Sequence, residues 1–336
     1  MASPSRWVVV GYGMGAYHAR LMKEVDGIRL HGVCDIDEAK RRRASEEHPG
    51  IHTYASLSEV LIDRSVDGVV IVTPHNQHAP MAIEAMRAGR HVITDKAMCL
   101  TVAEAEAMMA ERDRAGVLLS VFHNRRWDGD FLTVRQVIED GVIGRPYHIQ
   151  SCVTSYGSPG GWRTQREAMG GWLYDWGAHT IDQILLLAGS PPRTVHAYWH
   201  FRRESPKSVE DFISCTVAFE SGLTAHTVIG YLNHVPMPRW YVMGETGGLI
   251  ADDFERPLRV RTRIGHSDAD VTIPLQRSDW RAFYANIAAA LRGAEELAVK
   301  PEQLIHQIAI AEAAYRSIAT EQVVRLTDAA APAAAH

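Results

Sequence analysis

Asp175 and His179 stand four residues apart in the stretch Gly170-Gly171-Trp172-Leu173-Tyr174-Asp175-Trp176-Gly177-Ala178-His179, a spacing that puts both side chains on one face of a helix. An imidazole titrates near neutral pH, where a general base must work, and the Gly-Gly pair lets the backbone turn tightly and come close to a ligand. Lys96 offers a complementary group, a cation at the end of the strand-like run His91-Val92-Ile93-Thr94. A base, a carboxylate and a cationic donor suit the oxidation of an alcohol, in which a hydroxyl proton leaves and charge develops on oxygen.

Gly11-Tyr12-Gly13-Met14-Gly15-Ala16 matches G-x-G-x-x-G/A. It follows a strand-like run, opens a helix-like one and leads to Asp35, 19 residues beyond Ala16 at the end of the next strand, which is the context of a dinucleotide-binding loop. In such a loop Gly11 permits the tight turn, Gly13 lets the backbone approach a pyrophosphate, and the small Ala16 allows close helix–strand packing. Amides at the helix N-terminus face the phosphates. Asp35 is placed to accept hydrogen bonds from a ribose diol and to repel a 2'-phosphate, which favours NAD over NADP. The arginine run at 41–43 is the reservation, since it could fold back onto a phosphate.

Thr73-Pro74-His75-Asn76-Gln77-His78 follows another strand-like run, at the carboxyl edge where ligands sit in open parallel sheets. Thr73, Pro74, Asn76 and His78, with Asp95 and Lys96 at the next strand end, are therefore candidates for the nicotinamide end of the groove. Asn76 has a second reading as the cap of the helix that follows.

The hydrophobic pattern predicts the scaffold that these residues need. Short β-branched runs at 6–11, 28–34, 68–72, 91–94 and 117–121 alternate with helix-like stretches at 14–25, 37–47, 78–88 and 102–115. That alternation predicts a Rossmann-type doubly wound parallel sheet over 1–123. Beyond residue 124, one helix-like segment, 175–187, stands among alternating runs at 194–201, 212–219, 223–232, 240–243 and 258–263. Successive strands without intervening helices pair antiparallel, so 124–328 reads as an α+β domain with a broad, largely antiparallel open sheet. Helix-like stretches at 278–291 and 301–320 close the chain and are free to pack back on the first domain. The alanine-rich 329–336 reads as a flexible tail.

The 336 residues carry a formal net charge of -5 with scattered basic residues, which argues against nucleic acid as a partner. Lys40-Arg41-Arg42-Arg43 lies beside Glu46 and Glu47 and reads as a solvated helix face. Cys34, Cys99, Cys152 and Cys215 lack the paired spacing of a zinc site, and His75 and His78 lack a supporting cluster, so no metal is expected. Reduced thiols fit a cytoplasmic protein. The apolar run Trp7-Val8-Val9-Val10 is too short to span a membrane and has no signal-peptide architecture.

In order and spacing, Gly11 to Ala16, Thr73 to His78, Ala88 to Lys96 and Gly170 to Asp182 resemble the Gfo/Idh/MocA oxidoreductases. The resemblance spans nearly the whole chain. It implies that Lys96 bonds the reacting hydroxyl and stabilises alkoxide charge, a job that suits a point cation. It also implies that His179 accepts the proton, while Asp175 binds a neighbouring hydroxyl or tunes the imidazole and lysine by its charge. The family's Glu-Lys-Pro stands here as Asp95-Lys96-Ala97. Trp162, Trp172 and Trp176 cluster around the pair, and aromatic faces pack on the C–H faces of sugars. The same tryptophans can also serve packing between the domains. Asn124, Arg125, Tyr156 and Arg163 join Trp162 and Trp176 as substrate-side candidates. The expected function is NAD-dependent hydride transfer from a ring secondary alcohol of a sugar, sugar derivative or inositol. Its rivals are a redox-neutral cleavage through a transient keto-sugar and a nucleotide sensor without chemistry. A sheet with two apolar faces needs two covers, which predicts a homodimer or homotetramer through the second domain.

Overall fold

Alternation of apolar runs with amphipathic ones folds the first part of the chain into six parallel strands. They are β1 (Ser5–Val10), β2 (Ile28–Cys34), β3 (His52–Tyr54), β4 (Gly68–Ile71), β5 (His91–Thr94) and β6 (Leu119–Val121), interleaved with α1 (Gly15–Lys23), α2 (Glu38–Glu47), α3 (Leu57–Ile62), α4 (His78–Arg87) and α5 (Val102–Ala115). In this computed structural model, which describes residues 3–157, 159–202 and 208–326, the sheet order is β3-β2-β1-β4-β5-β6. The expected tail at 329–336 lies outside the described residues. The order reverses between β1 and β4, and the chain ends that leave β1, β2, β4 and β5 collect at that switch point. The doubly wound sheet is therefore as expected. Two of its elements were not foreseen: β3 is three residues long with only Tyr54 buried, and α3 spans six residues. Neither leaves a periodic signal of useful length.

The chain divides into two compact units, Met1–Asn124 with Trp280–Gln303, and Arg125–Asp279 with the chain from Leu304 onward. In the first unit the helix Arg281–Leu291 packs on α1, where Trp280 meets Tyr17 edge-on at 5.6 Å and Tyr284 Oη lies 2.7 Å from His18 Nδ1.

The second unit is built on a nine-stranded sheet. Its elements are α6 (Gly129–Glu139), β7 (Pro146–Thr154), the single turn α7 (Arg166–Met169), α8 (Trp176–Ala188), β8 (Pro192–His200), β9 (Phe212–Phe219), β10 (Thr224–Gly230), β11 (Trp240–Gly244), β12 (Gly247–Ala251), β13 (Leu258–Ile264) and β14 (Ser267–Ile273), followed by the helix Ile305–Thr320 and the short β15 (Val324–Arg325). The order is β14-β13-β12-β11-β7-β10-β9-β8-β15, antiparallel throughout except where β7 and β10 run parallel. Along β13, Leu258 and Val260 are buried while Arg259 and Arg261 face out, the period of a strand with one covered face. α6 packs on β13, α8 on β7 and β10, and the helix Ile305–Thr320 on β8.

Helix α6 corrects the expectation of a single helix before residue 278. Its first residue is glycine because a Cβ on Gly129 would stand 1.9 Å from the Gln276 carbonyl oxygen. Asp128 and Gly129 thus look like a loop in the sequence, although Phe131, Val134 and Val137 carry a buried helical stripe behind them.

Candidate functional site

The glycine loop is made by close approach of backbones. Gly11 has φ +96°, its amide donates to the Cys34 carbonyl at 2.8 Å, and a Cβ there would lie 2.6 Å from the Val72 carbonyl oxygen. A Cβ on Gly13 meets nothing within 4 Å, so this exposed position is open to a pyrophosphate. The packing role expected of Ala16 falls instead on Gly15. Helix α1 begins there, and a Cβ would sit 2.6 Å from Val9 Cγ1, whereas Ala16 is half-exposed. Tyr12 is buried with its hydroxyl on Glu47, and Met14 is exposed beside Gly13.

Asp35 closes the loop from below. Its Oδ2 accepts the Tyr12 amide at 2.7 Å and lies 3.6 Å from Lys40 Nζ, and its Oδ1 accepts the Asp37 amide at 2.9 Å. The basic run does not simply face solvent. Arg41 donates to the carbonyls of Asp35 and Ile36, and Arg43 donates to the Tyr12 carbonyl while covering its ring at 4.9 Å. Three of the four basic residues therefore converge on the ribose end of the loop.

At the ends of β4 and β5, Asn76 loses one of its two readings. It does not cap α4, whose N-cap is Gln77 without a side-chain bond, and its buried Oδ1 has no hydrogen-bond partner among the described residues. An orphaned acceptor beside an open glycine loop fits a nucleotide, and so does the Gly13 gap. His78 is a correction. It is fully buried, with Nδ1 2.6 Å from the Ala97 carbonyl oxygen and Nε2 2.9 Å from that of Thr73. Both ring nitrogens face backbone, so His78 braces the two loops and presents nothing to a cofactor. Burial holds its imidazole below the ordinary value, against the pull of the Ala97 carbonyl and Asp95. Thr73 and Pro74 are half-buried. Lys96 is half-buried, its amide donates to Asp95 Oδ1 at 2.9 Å, and the Lys96–Ala97 peptide is cis.

In the second unit, the Gly-Gly turn delivers Asp175 to the N-cap of α8 and His179 to its first turn. Both are buried, at 4% and 5% exposure. Arg163 Nε donates to Asp175 Oδ2 at 3.0 Å and lies over the Trp162 ring at 4.4 Å. Trp176 stands 6.0 Å from His179, and Arg125 lies between Trp176 at 4.4 Å and Phe254 at 5.1 Å, with its Nη1 2.7 Å from Asp128. Asp175, His179, Trp162, Arg163, Trp176 and Arg125 thus form one wall. Trp172 belongs to the packing, at 3% exposure against Tyr231. Tyr156 is more than half exposed and stacks on His234 at 3.9 Å. Asn124 is buried at the end of the first unit's opening segment.

Beneath the wall lie residues that the sequence reading passed over. Arg126 pairs with Asp182 at 2.6 Å, and Arg239, 2% exposed, pairs with Asp130 at 3.2 Å and bonds Gln183 at 2.5 Å. Burial lowers the Arg239 guanidinium, with Asp130 opposing the shift. Asp182 had a local signal, three residues beyond His179 on the same helix. Arg239 and Phe254 had none, because only the sheet brings them here.

Comparison with known proteins agrees with this geometry. Residues 5–123 match the oxidoreductase family, NAD-binding Rossmann fold, and residues 131–250 match the GFO/IDH/MocA C-terminal domain. The NAD-binding protein from Listeria innocua superposes with a TM-score of 0.88 at 32% identity, covering 96% of this chain and 97% of that one. The scyllo-inositol 2-dehydrogenase (NADP(+)) IolW of Bacillus subtilis (strain 168) is 29% identical over 345 residues, covering 95% of each chain. The D-apiose dehydrogenase of Paraburkholderia graminis is 27% identical, covering 94% of this chain and 88% of that one. With a nucleotide-binding loop in one unit, a buried Asp–His turn in the other and family matches across both, the chain belongs to the Gfo/Idh/MocA oxidoreductases.

Proposed function

We propose that this protein is an NAD-dependent dehydrogenase that transfers hydride between a ring secondary alcohol of a sugar, sugar derivative or inositol and the nicotinamide. The observation that carries the reading is the burial of Asp175 at the N-cap of α8 and of His179 in its first turn, behind a glycine turn. The bound nicotinamide supplies the two-electron acceptor for the ring hydrogen. The chain's own residues handle the rest: His179 takes the hydroxyl proton as the carbonyl forms, Lys96 steadies the oxygen's charge, and Asp175, tied to Arg163, orients the neighbouring hydroxyl. Trp176 and Trp162 offer aromatic faces to a ring. The names of the inositol and apiose dehydrogenases among the relatives support this substrate class.

Asp35 supports NAD, since a carboxylate at the ribose repels a 2'-phosphate. Lys40, Arg41 and Arg43 are the counterweight and keep NADP as the alternative. We assign oligomerisation to the outer face of the nine-stranded sheet. Tyr147 and Tyr241 are exposed there around a concavity of about 770 Å³, bordered by Arg259, Arg261, Asp268 and Asp270. A solution mass of one chain would overturn that assignment. Four buried free cysteines support a reducing, cytoplasmic setting, and among the described residues no helix is long and apolar enough to cross a membrane.

The test mixes near-stoichiometric protein and NAD with scyllo-inositol, myo-inositol, D-apiose and common pyranoses and glycosides, following nicotinamide absorbance through the first turnover and the steady state. Sustained reduction with one compound is expected. A burst that stops or decays points to redox-neutral cleavage, and silence with cofactor binding intact overturns the dehydrogenase reading for these substrates.

A further inference from the structure

We propose that Glu210 is the positioning residue of the catalytic turn: it holds Trp172, and Trp172 holds Asp175 and the start of α8. The inference rests on the reading of Asp175 and His179 as the catalytic pair.

Glu210 is 1% exposed, on the segment that leads into β9, and has no part in the chemistry described above. Its Oε1 accepts the Trp172 amide at 2.9 Å and the Tyr315 hydroxyl at 2.7 Å, and its Oε2 accepts Arg166 Nη2 at 2.5 Å. Its main-chain carbonyl accepts the Trp172 indole N–H at 2.7 Å. Trp172 is thus gripped at both backbone and ring by one residue. The Trp172 carbonyl then accepts the amides of Asp175 at 3.2 Å and Gly177 at 2.9 Å, so the grip passes to the catalytic carboxylate's own backbone. The same cluster touches the turn at two further points. Arg166 Nη1 donates to the Gly170 carbonyl at 2.9 Å, and Gly171, at φ +127°, lies so close to Tyr315 that a Cβ would stand 1.9 Å from its hydroxyl oxygen.

Burying the Glu210 carboxylate costs desolvation that a half-exposed Arg166 offsets only in part, so stability alone is a weak reason to place it here. What this pair does is define the path of residues 170–177, and a general base displaced by about 1 Å loses rate steeply.

The test compares Glu210→Gln, which keeps an acceptor for Trp172 but loses the charge, with Tyr315→Phe, which removes one hydroxyl and keeps the ring stacked on Tyr174. Each variant is read by amide hydrogen exchange at 172–177, by kcat on the panel compound that the parent protein turns over, and by NADH affinity from nicotinamide fluorescence. In Glu210→Gln, exchange of the Asp175 and Gly177 amides should rise about tenfold or more, above any change elsewhere. In the same variant kcat should fall roughly 10- to 100-fold with NADH affinity unchanged. Tyr315→Phe should show a smaller shift in the same direction, and it decides the matter if Glu210→Gln does not fold. Wild-type exchange and kcat in the folded variants overturn the proposal. A parallel His179→Ala arm separates the two ideas. If it keeps full turnover, the catalytic reading falls while exchange still judges Glu210. If it loses turnover and the other variants lose nothing, only Glu210 falls.

Discussion

The cofactor loop and the catalytic turn both bend on glycine, yet different forces hold them. In the loop the restraint is close packing of glycine backbone on the neighbouring strands, with Gly11 pressed on the Val72 carbonyl and Gly15 on the Val9 side chain. In the turn it is side chains from distant sequence, with Glu210, Tyr315 and Arg163 closing on residues 170–175. Under the proposed roles, the difference makes binding and chemistry separately breakable. A change in the loop should cost cofactor affinity, and a change in the turn should cost turnover with the cofactor still bound.

The sharpest way to break that separation is His179→Ala. Turnover should fall by roughly 10²- to 10⁴-fold, as for loss of a general base, with NADH affinity from fluorescence titration unchanged. A parallel loss of affinity would erase the distinction. Next in size, Arg126→Ala strands Asp182 in a site where both side chains are less than a tenth exposed. Chemical denaturation should show a loss of about 3–5 kcal/mol; a loss below about 1 kcal/mol, within the range of surface pairs, would contradict the burial argument.

Two loop glycines divide the next effect between them. Gly11→Ala forces a left-handed backbone and a 2.6 Å contact, so it should destabilise the fold by about 1–3 kcal/mol and weaken the cofactor. Gly13→Ala meets only open space, so it should leave the melting temperature in place and still lose about tenfold or more in NADH affinity, some 1.4 kcal/mol. Equal melting losses in both would show that Gly13 serves the fold and not the ligand. Asp35→Ser removes the repulsion and leaves Lys40, Arg41 and Arg43 in place, so the ratio of NADPH to NADH affinity should rise about tenfold, near 1.4 kcal/mol. A fixed ratio would mean that the basic run belongs to the loop's own carbonyls.

The smallest effect is on pH. Burial lowers the imidazole of His18, partly opposed by nearby Asp95. The folded state keeps it neutral while the unfolded chain binds a proton there below about pH 6.5. Its stabilising share is therefore full above that value and lost as the pH falls from there through the depressed folded value. Melting temperatures should drop by a few degrees between about pH 7.5 and 5.5, and a flat profile contradicts the assignment.

The same division explains what could be read from the sequence. The parallel sheet, the glycine loop and Asp35 depend on spacings within one βαβ segment, so their pattern is written locally. The helix that carries His179 was legible in its periodicity, but Asp175 precedes that helix as its N-cap with non-helical backbone, so the i and i+4 rule does not by itself bring the two together. His78 was not legible, since only the fold shows that both its nitrogens turn to backbone carbonyls. The swap of roles between Ala16 and Gly15 likewise depends on where α1 begins against Val9. Glu210 lies 38 residues from Trp172, and Arg239 lies 56 from Gln183, so their partnerships exist only once the sheet has formed.

The central claim is hydride transfer from a ring carbon to the nicotinamide, and isotopic transfer tests it most directly. Scyllo-inositol, myo-inositol and glucose carrying deuterium at every ring carbon would be incubated with the protein and NAD, and the recovered nicotinamide analysed by mass spectrometry. The account predicts one deuterium per reduced nicotinamide, formed with the native protein and not with His179→Ala. Nicotinamide free of deuterium after incubation with all three, in protein shown to bind NAD, would contradict it.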